Sequence, residues 1–214
     1  MRIRPEMLRV YGVTDASWTG RFTLLEQVEQ ALKGGVTCIQ FRDKRLESEA
    51  FLREAKKMKL LCEKYQVPLI INDHVDIAVR CGADGVHVGQ KDMEAKEVRK
   101  LVGEKMIIGV SARTVEQAIQ AEQAGADYLG VGAVFGTSTK MDAEKISLER
   151  LRDICQAVNI PVVAIGGVQK NNFPELAGTK VAGAALVSAI FSAEDIEEEC
   201  RQLRSISEQI VCKS

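Results

Sequence analysis

Histidine is nearly missing from this chain, which has only His74 and His87 in 214 residues, and none of its six cysteines stands in a CxxC spacing. Zinc and iron–sulfur centres need several such ligands close together, so transition-metal chemistry has no ligand set here. An excess of one charge is also lacking, because 29 Lys plus Arg face 30 Asp plus Glu. Nucleic acid and anionic membranes are bound through a net basic field, so neither is an expected partner, and any anion site has to be local. Long apolar runs are absent too. Nothing approaches the ~20 apolar residues of a membrane span. The N-terminal MRIRPEMLRVYGVTD has no long apolar core of a secretory signal, and the chain reads as cytoplasmic.

No Pro/Ser-rich linker, low-complexity tract or shift in composition divides the sequence, so residues 1–214 read as a single domain. A hydrophobic share of 46% is enough to fill its core and far from the composition of disordered chains. Cys38, Cys62, Cys81, Cys155, Cys200 and Cys212 fall mostly inside expected strands and helices, as buried free thiols of a reducing compartment do.

One alternation runs from end to end. Short β-branched runs able to be buried on both faces recur at 8–14, 37–42, 68–73, 85–88, 106–111, 128–132, 161–167 and 183–188. Stretches of helical periodicity follow them, among them LLEQVEQALKGG, SEAFLREAKKMKLLCEKY, VEQAIQAEQAG and LERLRDICQAV, with a weak one near NNFPELAG. Several end in glycine signals such as Gly82-Ala83-Asp84-Gly85 and Gly125-Ala126-Asp127-Tyr128, which return the chain to the sheet. Eight βα units with right-handed crossovers predict a (β/α)8 TIM barrel, whose closure leaves no exposed edge. A doubly wound open sheet is the alternative, although it usually has fewer strands at this length.

Such a barrel carries its chemistry on the loops after the strands, and polar residues collect there. Strand 2 runs into Gln40-Phe41-Arg42-Asp43-Lys44, strand 3 into Asn72-Asp73 and strand 4 into His87-Val88-Gly89-Gln90-Lys91-Asp92. Strand 5 ends in Ser111-Ala112-Arg113, strand 6 in Gly136-Thr137-Ser138-Thr139-Lys140, strand 7 in Gly166-Gly167 and strand 8 in Ser188. Arg42 and Lys44 from the loop after strand 2 and Lys140 from the loop after strand 6 come into one mouth and suit phosphate oxygens, although any one of them is as readily a solvated loop cation. Asp73 and Asp92 follow neighbouring strands and can share Mg2+, which takes one or two carboxylates together with phosphate oxygens and water. Their alternatives are an Asx-type turn at Asp73 and a helix N-cap at Asp92. Gly166-Gly167-Val168 and the segment 183–188 look like a phosphate cup after strands 7 and 8.

QFRDK (40–44), LIINDHVDIA (69–78), GADGVHVGQKDM (82–93), IIGVSA (107–112), GADYLGVGAVFGTSTK (125–140), PVVAIGGV (161–168) and GAALVSAI (183–190) together resemble the thiamine-phosphate synthase family. The resemblance covers essentially the whole chain, and its most specific parts are the IND segment, GVHxGQxD and the TxTK loop. It implies an enzyme that joins hydroxymethylpyrimidine diphosphate to a thiazole phosphate and releases pyrophosphate, with magnesium as cofactor and a homo-oligomer as a possible assembly. Carried over by residue, it implies that Gln40 and His87 line the pyrimidine pocket. Arg42, Lys44, Asn72, Ser111 and Lys140 would bind pyrophosphate, and Asp73 and Asp92 would bind magnesium. Thr137, Thr139, Gly167 and Ser188 would bind the thiazole phosphate. The chain departs from the family at Phe41, Asp43 and His74, and at Ala133-Val134-Phe135, where a family proline is missing and a looser strand 6 loop is expected. Its rivals are a thiazole tautomerase of the same fold, which tends to lack the full pyrophosphate set, and a ligand sensor without turnover.

Overall fold

In the computed structural model, residues 3–136 and 145–211 are described. Eight strands follow in chain order: β1 (Val10–Val13), β2 (Cys38–Phe41), β3 (Leu69–Asn72), β4 (Gly85–Val88), β5 (Ile107–Ala112), β6 (Tyr128–Gly132), β7 (Val162–Ile165) and β8 (Gly183–Leu186). Each pairs in parallel with the next, and β8 pairs back onto β1 through Val10↔Ala184 and Gly12↔Leu186, so the sheet closes as a barrel. Closure excludes the open sheet. β4 and β6 coincide with their expected runs and the other strands lie within theirs with trimmed ends, except that β5 reaches one residue further, to Ala112.

Helices pack outside the barrel: α1 (Leu24–Lys33), α2 (Ser48–Lys64), α3 (Val75–Cys81), α4 (Ala95–Val102), α5 (Val115–Gln123), α6 (Leu148–Ala157), the short α7 (Ser188–Phe191) and α8 (Ile196–Val211). Each buries one stripe; on α1 it is Gln27, Val28, Ala31 and Leu32. Thr23 starts α1 with a capping box, in which its hydroxyl accepts from the Glu26 amide while the Glu26 carboxylate accepts from the Thr23 amide. The helix expected near NNFPELAG is instead a single 3₁₀ turn, Phe173–Leu176. Pro174 removes an amide donor at its start, and the chain turns left-handed at Gly178 (φ 77°), so a full helix has no room to form.

Side chains alternate across each strand, and two cores result. Outward residues such as Val10, Ile39, Phe41, Ile71, Val86, Ile108, Leu129 and Leu186 pack under the helices. Inward residues, including Leu8, Tyr11, Val13, Cys38, Ile70, Ile107, Tyr128, Val163 and Ala185, fill the barrel. Two of the family departures contact Phe51: the buried Phe41 ring lies 4.4 Å from it in the outer core, and the exposed His74 ring stands edge-on to it at 5.1 Å. The five described cysteines are free thiols, four of them buried, and burial pushes Cys62, Cys155 and Cys200 up to about 12. Cys212 lies outside the described residues.

The end of the barrel where the strands begin is tied by a repeated device. The Gly-Ala-Asp signals place Asp84 before β4 and Asp127 before β6. Asp84 Oδ2 accepts from the Leu69 amide and from Lys59 Nζ, each at 2.9 Å. Asp127 Oδ2 accepts from the Ile108 amide at 2.8 Å and from Arg99 Nη2 at 2.7 Å. Each carboxylate thus staples its own strand to the preceding one, with a cation balancing its charge.

Candidate active site

Strand parity decides which polar residues enter the barrel. Gln40 shares the inward face of β2 with Cys38, and His87 and Ser111 take inward positions on β4 and β5. Gln40 and His87 are buried, whereas Ser111 is half-buried at the rim. These residues are joined by two that the sequence reading did not select. Gln40 Nε2 donates to Tyr11 Oη at 2.8 Å, the Tyr11 and Tyr128 phenol oxygens are 2.6 Å apart, Tyr128 Oη stands 2.9 Å from His87 Nδ1, and His87 Nε2 stands 3.0 Å from Ser111 Oγ. Burial pushes both phenols well above the usual tyrosine range, so they stay protonated. A signal was available: both tyrosines occupy inward positions of barrel strands, where a hydroxyl needs a partner.

At the ends of β1 and β2, buried Thr14 fixes the Arg42 backbone: its hydroxyl accepts from the Arg42 amide at 2.8 Å and donates to the Arg42 carbonyl at 2.9 Å. Asp15 holds the side chain, accepting from Arg42 Nη1 at 3.2 Å with both side chains mostly buried. Burial pushes the Asp15 carboxyl up, but the Ser17 amide and the Arg42 guanidinium outweigh it and hold the carboxyl below its ordinary value. Lys44 is exposed two residues on, and Asp43 turns back to accept from the Arg45 amide.

Asn72 and His87 are register partners on β3 and β4, so the loops carrying Asp73 and Asp92 leave adjacent strands. Asp73 adopts a left-handed φ of 63°, its amide donates to the His87 carbonyl at 2.9 Å, and its Oδ2 accepts from Asn72 Nδ2 at 2.6 Å. Asp92 is exposed, and its Oδ2 accepts from the Gly89 amide at 2.7 Å. Glu94, not Asp92, precedes α4 as its N-cap. Among the described residues no group of three or more His, Cys, Asp and Glu gathers as a metal cage. The donors at hand are hard carboxylate oxygens, which suit magnesium when phosphate oxygens and water complete its shell.

On the far side of the mouth, Ala133 is buried and its carbonyl accepts from the Ile146 amide at 2.8 Å. The Val134 and Phe135 amides donate to the Ile165 and Gly166 carbonyls, so the strand 6 loop leaves the barrel still paired to β7. Thr137, Thr139 and Lys140 lie outside the described residues. Gly167 has φ 69°, and a Cβ there would overlap the Gly136 carbonyl oxygen, so only glycine fits. Ser188 begins α7, and its Oγ accepts from Gln169 Nε2 at 2.9 Å, which links the loops after β7 and β8. A cleft of about 520 Å³ opens beside them between Trp18, Arg21, Phe22 and Phe191, and none of the expected site residues lines it.

The family model for thiamine monophosphate synthase matches residues 10–190. The chain is 48% identical over 194 residues to a thiamine-phosphate synthase of Clostridium tetani, an alignment spanning 91% of this chain and 93% of the relative. It is 50% identical over 197 residues to the thiamine-phosphate synthase of Ruminiclostridium cellulolyticum, spanning 92% and 94% respectively. Among solved structures, thiamine phosphate pyrophosphorylase from Pyrococcus furiosus superposes with a TM-score of 0.90 at 39% identity, over 97% of this chain and 98% of that one. A barrel with a polar inward rim, matched over nearly its whole length at this identity, leaves one assignment: the chain belongs to the thiamine monophosphate synthase family.

Proposed function

We propose that the C-terminal mouth of the barrel joins hydroxymethylpyrimidine diphosphate to a thiazole phosphate, making thiamine phosphate and releasing pyrophosphate. The enzyme is a transferase acting on two small molecules. The observation that carries the placement is that Gln40, His87 and Ser111 line the inner wall at the end of the barrel where Asp15 and Thr14 tether Arg42.

In the reaction the bond between the pyrimidine methylene and the diphosphate oxygen breaks, its electron pair leaving with pyrophosphate. The thiazole nitrogen then supplies the pair for the new C–N bond. That nitrogen is already neutral with a free lone pair, so no general base is needed. What the protein must supply is stabilisation of the growing negative charge and alignment of two rings. Arg42, Lys44, Asn72, Ser111 and Lys140 are assigned to the pyrophosphate oxygens. Arg42 is the best prepared, because its backbone and one guanidinium nitrogen are already held while the rest of the fork can bind. Gln40 and His87 are assigned to the pyrimidine, and Thr137, Thr139, Gly167 and Ser188 to the thiazole phosphate. Asp73 and Asp92 are assigned to magnesium, which when bound adds positive charge beside the leaving group.

Incubating the purified protein with both substrates and magnesium tests the function. Thiamine phosphate and pyrophosphate are expected in equal amounts. Isomerisation of the thiazole alone, or binding without product, would overturn the assignment.

A further inference from the structure

Inside the barrel Gln40, Tyr11, Tyr128, His87 and Ser111 form an ordered series, and proton counting gives it a direction. Each phenol has one proton to donate. Tyr11 Oη accepts from Gln40 Nε2, so its own proton goes to Tyr128 Oη, 2.6 Å away. Tyr128 then donates to His87 Nδ1 at 2.9 Å. With Nδ1 accepting, the ring proton sits on Nε2 and is donated to Ser111 Oγ at 3.0 Å. Having accepted from His87, the Ser111 hydroxyl points its own proton elsewhere. The neighbouring Cys38 thiol stays protonated, pushed up by burial, and a neutral thiol is too weak an acceptor to divert the Tyr11 proton.

The barrel is built to seat this series. Inward positions of such barrels are usually filled by branched aliphatic residues, yet here two tyrosines occupy them, at 1% and 0% exposure. Glycines on β5 and β6 make room: a Cβ on Gly109 would overlap the Tyr128 ring, and one on Gly130 would stand 3.1 Å from His87 Cε1. Gln90 Nε2 donates to the Ser111 carbonyl at 2.7 Å and holds the end of the series in place.

We propose that Gln40, Tyr11, Tyr128 and His87 form a one-way hydrogen-bond relay that fixes His87 as its Nε2–H tautomer and turns the Ser111 hydroxyl proton towards the departing pyrophosphate. Tyr11 and Tyr128 are then positioning residues that act through His87 and Ser111. The pyrophosphate end of the relay rests on the function proposed above, whereas its polarity does not.

Nitrogen-15 NMR of histidine-labelled protein reads the tautomer without turnover, and a His74→Asn variant leaves the His87 signals alone. A pyridine-type Nδ1 and a pyrrole-type Nε2 are expected in the wild type, with that pattern lost in Tyr128→Phe. Single-turnover kinetics provide the second readout. Tyr128→Phe should slow the chemical step about tenfold while KM for the pyrimidine diphosphate stays within about twofold, the pattern of a group that matters only in the transition state. In a Ser111→Ala background the same change should have little further effect, because coupled residues are not additive. Tyr11→Phe should weaken the effect by one link and serves as the second variant should Tyr128→Phe fold poorly. A wild-type Nδ1–H tautomer, or a tautomer unmoved by either phenol substitution, would overturn the relay whether or not the protein makes thiamine phosphate. With the tautomer as expected, full additivity with Ser111→Ala would overturn its pyrophosphate end. Absence of product from the wild type would instead overturn the function on which that end rests.

Discussion

Asp15 is the residue that turns a flexible cation into a prepared one, because it takes one guanidinium nitrogen of Arg42 while Thr14 pins the backbone. Its carboxyl is held low in the folded protein, against the pull of burial, by the Ser17 amide and by Arg42. A depressed carboxyl gives stability that is full above its unfolded value, near ~3.9, and that fades as pH falls through the lower folded value. The stability difference between wild type and Asp15→Asn in urea is therefore expected to be widest at neutral pH and to close below about pH 4. A difference that stays constant with pH would show that the carboxylate charge is not what holds Arg42. Lys140 belongs to the same scale. Assigned to the departing pyrophosphate, it should matter as charge develops, so Lys140→Ala is expected to lower kcat at least ~10-fold. A change confined to KM would place it in ground-state binding. Asp73→Ala and Asp92→Ala should each lose activity at limiting magnesium with unchanged circular dichroism, and wild-type turnover in both would remove the metal assignment.

Between elements, the two ends of the barrel do different work. Asp127 joins the start of β5 to β6 through the Ile108 amide and Arg99. Removing it in Asp127→Ala strands the Ile108 amide and takes the carboxylate from Arg99, which keeps the Gly103, Met106 and Gly125 carbonyls, a loss of about 1–3 kcal/mol of stability. Because this staple sits where the strands begin, kcat at a temperature well below unfolding should be unchanged. A fall in kcat without a fall in stability would connect it to the chemistry. At the other end Gly167 passes so close to the Gly136 carbonyl that the β7 loop and the start of the strand 6 loop form one unit. This close approach has no counterpart in sequence periodicity. The missing proline at Ala133 predicts a looser strand 6 loop; the start of that loop leaves β6 with Val134 and Phe135 paired to Ile165 and Gly166, and residues 137–144 lie outside the described residues. Backbone pairing across strands is set by closure, and a one-residue rule about proline does not see it.

For the whole molecule, the barrel was legible because eight doubly buried runs alternating with amphipathic stretches admit few other topologies, and each strand lies within its expected run apart from the last residue of β5. In the seventh crossover FPEL has the apolar spacing of a helix, but Pro174 and Gly178 confine it to a turn. Strand ends showed where polar side chains collect, and parity shows which of them turn inward. Neither shows that Tyr11 and Tyr128, 117 residues apart, bring their hydroxyls together across the barrel. The mouth is assigned cationic and hydrogen-bond donors for the leaving anion, and the proposed reaction breaks the C–O bond ahead of C–N formation because a 4-aminopyrimidine can delocalise the positive charge left on its methylene. The direct test is a single-turnover comparison, at saturation, of the natural pyrimidine diphosphate with one whose ring methyl group is replaced by an electron-withdrawing group. A dissociative reaction predicts a much slower chemical step with binding little changed, since each 1.36 kcal/mol of lost cation stabilisation costs about tenfold in rate. Equal rates for the chemical step would contradict it and assign the bond to direct displacement by the thiazole nitrogen.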